Sequence, residues 1–100
     1  MEVYFLKRAI ADQLRETEFW REQDPELPVE FLKELGKSVN NITKAPNGFA
    51  WASEPLGLRR YYEKRFRTHI IYKYEPEKDR LRIVRIYNAR MNPVRFIPSV

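Results

Sequence analysis

Residues 57–93 read GLRRYYEKRFRTHIIYKYEPEKDRLRIVRIYNARMNP, and the other elements take their places around what these residues form. Three successive runs, GLRRYYEKRF, RTHIIYKYE and RLRIVRIYNARMNP, are rich in β-branched and aromatic residues, which favour pleated, half-buried backbone. Pro76-Glu77-Lys78-Asp79 supplies turn chemistry between the last two, so the stretch predicts three antiparallel strands in sequence. Side chains alternate between the faces of a strand. In the first run Tyr61 then falls on one face and Arg60 and Tyr62 on the other. In the second, Ile70, Tyr72 and Tyr74 share a face opposite Arg67, His69, Ile71 and Lys73. The first set reads as core, and the half-basic second set as a surface for solvent or a ligand. The last run has apolar residues on both parities, Leu81, Ile83 and Tyr87 against Val84 and Ile86, as expected of a central strand. It exits through Asn88, Ala89, Arg90, Met91, Asn92 and Pro93, where function is expected to collect.

Upstream, Glu2–Leu6 (EVYFL) is a short β-forming run, read as a first strand pairing in the interior of the sheet. From Lys7 the period changes: Ile10, Leu14, Thr17 and Trp20 lie on one stripe of a helix, with no good N-cap residue before it. Asp24-Pro25-Glu26-Leu27-Pro28 breaks that helix. A second begins near Pro28 with the stripe Val29, Leu32, Leu35, Val39 and Ile42, and Gly36 in its middle marks either a close crossing or nothing. Ala45-Pro46-Asn47-Gly48 ends it. In the following loop Phe49 and Trp51 are expected to plug the end of the core. Strand, helix, helix and three strands give an α+β two-layer fold: a helical hairpin across one face of a four-stranded sheet. Residues 1–100 make a single domain on length, with 93–100 as a short tail.

The composition bounds the chemistry. Cysteine is absent and there is one histidine, so neither a disulfide framework nor a metal site is expected, and no cofactor fingerprint occurs. No long apolar run suggests a membrane span, and a cytoplasmic protein is expected. The net charge of +5 is unevenly placed. Residues 1–56 carry seven Lys/Arg against ten Asp/Glu, and residues 57–100 carry twelve against four. The positive field therefore belongs to the strands, where it would attract phosphate or an acidic partner.

The glycines form no phosphate loop, the serines have no local support for a hydrolytic triad, and the strands hold no paired acids. What remains is arginine, tyrosine and one histidine. Metal-free RNA cleavage needs a base for the 2′-hydroxyl, cations on the phosphate and an acid for the leaving oxygen. His69 can serve as base or acid, Arg60 and Arg90 can hold phosphate, and Tyr62 or Tyr87 can donate a proton or stack on a base. The plain alternative is that His69 is an ordinary strand residue. Arg67 and Lys73 would add to the binding surface.

The helical hairpin ending in Ala45-Pro46, then Leu58-Arg59-Arg60-Tyr61-Tyr62, Thr68-His69-Ile70-Ile71-Tyr72 and Ile83–Pro93, resembles the RelE/ParE superfamily of bacterial toxins, also called plasmid stabilisation proteins. The resemblance covers almost the whole chain. It implies the toxin of a type II toxin–antitoxin module, with a cognate antitoxin as partner and either DNA gyrase or the ribosome with mRNA as target. Carried over to this sequence, Arg60 and Arg90 match basic positions of RelE-like toxins. His69 stands where they have arginine, Tyr62 where a lysine is expected, and Phe96 where they have tyrosine. Because Phe96 cannot donate a proton, the resemblance leans to ParE-like gyrase inhibition. A RelE-like endoribonuclease, with Arg60, His69 and Arg90 catalytic and Tyr62, Arg67, Lys73 and Tyr87 binding substrate, is the alternative, and an inactive binding module the third reading.

Overall fold

The computed structural model describes residues 1–98; Ser99 and Val100, the end of the expected tail, lie outside them. The chain runs β1 (Glu2–Phe5), α1 (Lys7–Gln23), α2 (Leu27–Lys44), β2 (Trp51–Ser53), β3 (Leu58–Glu63), β4 (Thr68–Glu75) and β5 (Arg80–Asn88), with 3-10 turns at Pro76–Lys78 and Pro93–Arg95. The strands form one sheet in the order β1-β5-β4-β3-β2. β3, β4 and β5 are the expected antiparallel meander, while β1 runs parallel to β5.

The sheet has five strands rather than the four expected. The addition is β2, whose Trp51 and Ser53 pair with Arg59 and Leu58 of β3. Three residues are too few for an alternating pattern to show in the sequence. Phe49 does plug the core, edge-on to Tyr61 at 4.9 Å. Trp51 does not: it is 41% exposed, with the Arg59 guanidinium 3.7 Å from its ring centroid. β1 is an edge strand rather than an interior one, which fits its alternation of half-buried Val3 and Phe5 with exposed Glu2 and Tyr4.

The helices cover one face of the sheet, burying Ala9, Leu35 and Ile42 against Ile70, Tyr72, Leu81, Ile83 and Ile86. Tyr72 Oη donates to the Pro46 carbonyl at 2.8 Å, tying the loop after α2 to this core. Both helices are rotated from the expected stripes. On α1 the buried positions are Ala9, Asp12 and Glu16, whereas Ile10 is exposed and Leu14 is 65% exposed. On α2, Leu35 and Ile42 are buried as expected, joined by Pro28, Phe31 and Ser38, but Val29 is 59% exposed and Leu32 also faces out. A Cβ at Gly36 would meet nothing within 4 Å, so no close crossing occurs there.

The reason for α1's polar inner face lies on β5. Pairing with β1 ends at Phe5↔Ile83, which leaves the edge of β5 open beyond that point. α1 closes it with side chains. Asp12 Oδ2 accepts from the Ile86 N–H at 2.9 Å, and Arg15 donates to the Ile86 carbonyl at 2.9 Å. An unpaired strand edge leaves backbone donors and acceptors to be satisfied, and this pair does the work of a neighbouring strand. The register between β4 and β5 also shifts here, Ile71 pairing with Arg85 and Tyr72 with Ile83. Val84 is the extra residue of this bulge. The bulge explains the double parity: Leu81, Ile83 and Ile86 face the helices, while Val84 and Tyr87 pack on the opposite side.

Candidate functional site

The face away from the helices gathers the residues singled out in the sequence. Tyr62 of β3 stands directly across from His69 of β4, and His69 from Tyr87 of β5. Cross-strand neighbours on one face lie close enough for ring contact, and here they form a row. Tyr62 and His69 have centroids 4.8 Å apart with planes at 40°, and His69 and Tyr87 are 4.8 Å apart at 28°. The row continues into the tail, where Phe96 lies 4.8 Å from Tyr87 at 10°. The turn at Pro93–Arg95 aims Phe96 onto this face; Asn92 Oδ1 caps it by accepting from the Val94 N–H. Phe96 is buried and ringed by the guanidiniums of Arg15, Arg85 and Arg95. The tail is therefore packed over one end of the row, while Tyr62 at the other end is exposed.

Of the three candidate catalytic residues, two come together. Arg60, diagonal to His69 across β3 and β4, acts on it electrostatically. Burial first, and the Arg60 charge second, lower the His69 pKa below the usual imidazole value. Its Nδ1 and the Tyr87 hydroxyl are buried without a hydrogen-bond partner among the described residues. Arg90 is directed elsewhere. Its guanidinium makes two hydrogen bonds to the buried Glu16 carboxylate, at 2.9 and 3.1 Å, and lies 3.6 Å over the Phe19 ring.

The remaining binding candidates spread along the face. Arg67 lies in the β3–β4 turn rather than on a strand, exposed and in the left-handed region at φ 54°. The Glu63 carboxylate shapes that turn by accepting from the Arg65 and Phe66 N–H groups at 2.7 and 2.8 Å. Lys73 is exposed at the far part of β4, opposite Arg82. Four residues from His69, it stands about 13 Å along the strand from it. Tyr87 is inside the row and buried, so its ring stacks on its neighbours rather than on a ligand.

Residues that the sequence reading did not single out hold this arrangement. Asp12 accepts from Arg85 Nε at 2.8 Å and from Arg15 at 2.8 Å, beside its bond to Ile86. Burial is the largest single effect on its carboxyl and opposes ionisation, but the bonds from Arg85, the Ile86 N–H and Arg15 together outweigh it, and the pKa is lowered. The signal available in the sequence was the pair Asp12 and Glu16, one helical turn apart, in a chain whose last strand carries Arg85 and Arg90.

No protein-family model matches the chain, and no curated protein matches it. Solved structures do. A structure of the chromosomal ParDE TA system from P. aeruginosa is similar with a TM-score of 0.74 and 19% identity, covering 88% of this chain and 95% of that one. The crystal structure of the isolated E. coli RelE toxin is similar with a TM-score of 0.62 and 16% identity, covering 94% of this chain and 89% of that one. At these identities the likeness is one of fold. The chain shares the fold of these two solved structures, the α+β arrangement that the sequence resemblance implied.

Proposed function

We propose that this chain is the toxin of a type II toxin–antitoxin module, a bacterial growth inhibitor neutralised by a cognate antitoxin in the cytoplasm, and that it acts ParE-like, by binding and inhibiting DNA gyrase. The toxin reading is supported by the shared fold with a ParDE system and with RelE. The choice of mechanism rests on one observation. Of the groups that RNA cleavage would need as a set, Arg90 is held on Glu16 rather than turned to the other two, and His69, with Arg60 beside it, is packed between two phenol rings. In this reading Arg60, Tyr62, Arg67 and Lys73 are a contact surface, and His69 and Tyr87 shape it.

The RelE-like reading keeps one observation in its favour: the exposed Tyr62 ring beside Arg60 suits base stacking next to a phosphate. Induced expression in bacteria, with transcript ends mapped and plasmid supercoiling followed together, separates the two. Altered supercoiling with intact messages is the expected result. Codon-phased cuts in translated messages, abolished by His69→Gln, would replace this reading with the nuclease. Growth arrest that no neighbouring gene relieves would remove both.

A further inference from the structure

Beside Phe96 lies a half-open cavity of about 460 Å³. Its walls are apolar, from Leu6 at the β1–α1 junction, Val84 at the bulge, and Phe96 and Ile97 of the tail. Val94, 74% exposed, stands at its mouth. The rim is cationic: Lys7, Arg8 and Arg95 are all exposed there, while Arg85 is already paired with Asp12.

Two of those cations break a local rule. Lys7 and Arg8 open α1, a helix of 17 residues with no acid in its first turn, and among the described residues no side chain caps it. Positive charge at the positive end of a helix is unfavourable. The hairpin is otherwise rich in acids that would suit those positions. A sequence that breaks its own local preferences at the mouth of a cavity marks a functional place more often than a random one.

We propose that this cavity is a docking site for an acidic peptide segment carrying one large apolar side chain. The side chain enters between Val84 and Phe96, and flanking carboxylates meet Lys7, Arg8 and Arg95. Two features select this occupant. The volume is near the small end of the roughly 300–1,000 Å³ range of ligand sites, room for an anchoring side chain rather than a folded surface. The apolar walls with a single-sign rim are complementary to an apolar anchor within negative charge, the pattern that combines affinity from the anchor with steering from the rim. Nucleic acid fits poorly, because Phe96, the one aromatic ring among the described lining residues, is buried. The site stands apart from the toxin reading, since a peptide probe reports on it without any growth assay.

The test is fluorescence anisotropy on the full chain with a labelled eight-residue peptide, a central Phe flanked by Glu. Saturable, salt-weakened binding is expected, reduced about tenfold or more by Lys7→Glu with Arg8→Glu, by Val94→Trp at the mouth, and by Ala in place of the peptide's Phe. Acids in the first turn suit the helix, so the charge-reversed variant should melt no lower than the parent, and thermal denaturation checks this. Equal binding by a Lys-flanked peptide, or no effect of charge reversal, would overturn the proposal. So would indifference to both Val94→Trp and the Phe-to-Ala change, which would mean surface charge alone. Dodecanoate binding with none by the peptide would make this a lipid-anion site instead.

Discussion

His69 shows how much a single residue's meaning depends on its neighbours. An imidazole on a basic sheet face suggests proton transfer, yet this one lies between the rings of Tyr62 and Tyr87 with Arg60 beside it. Its pKa is lowered, by burial and then by Arg60, so it is neutral at pH 7. An unfolded chain titrates histidine near 6.5. Below that pH the unfolded state takes up a proton that the folded state resists, so His69's contribution to stability is present above about 6.5 and is lost as pH falls towards the folded value. A histidine proton titration by NMR should give a pKa below 6.5, moving upward in Arg60→Gln. A value at or above 6.5 in the parent would mean that the ring is solvated and free to act.

At the scale of elements, α1 is the least typical part of the fold. A surface helix ordinarily turns its apolar stripe inward, but here the inward stripe includes Asp12, which meets an open strand edge, and Glu16, which holds Arg90. Asp12→Asn keeps the shape and removes the charge that meets Arg15 and Arg85. Breaking a buried pair on one side costs roughly 3–5 kcal/mol, and the cost here belongs at about 3 because Arg15 is one-third exposed. Urea unfolding at pH 7 measures it. The gap between parent and variant should close in acid: a depressed carboxyl stabilises above the unfolded pKa of about 3.9, and that benefit is lost as pH falls through the lower folded value. A gap that stays constant with pH would show that Asp12 acts through shape alone.

The same helix marks where sequence reading succeeds and fails. The β3-β4-β5 meander, the hairpin and the faces of β3 and β4 follow from period and turn chemistry, and residues such as Tyr61, Ile70 and Tyr72 fall where alternation puts them. Ile10 and Leu14 mislead because periodicity assumes that burial means apolar, and no local pattern records that β1 stops short of the end of β5. The Val84 bulge hides in the same way, since one inserted residue looks like a strand buried on both sides. For the site, the row Tyr62, His69 and Tyr87 follows from strand parity. The direction of Arg90 does not, because its partner Glu16 is 74 residues away.

For the whole molecule, charge is layered, with an acidic excess in the part of the chain that holds the helical hairpin and a basic excess in β3 to β5. Retention on a cation exchanger should therefore depend on which face is altered. Arg60→Glu with Lys73→Glu should elute far earlier than Lys33→Glu with Lys37→Glu, although the net change is equal; matched elution would mean that the field is not directional. The sheet's order has a separate consequence, for synthesis. β1 leaves the ribosome first, but its partner is β5, and α1 covers that same strand. At about 5–20 residues per second, roughly 4 to 17 s separate the two strands. Throughout that interval the N-terminal strand and the inner face of α1 have nothing to pair with. The sheet cannot close on β1 until β5 has been made, so the first strand synthesised is the last to find its partner.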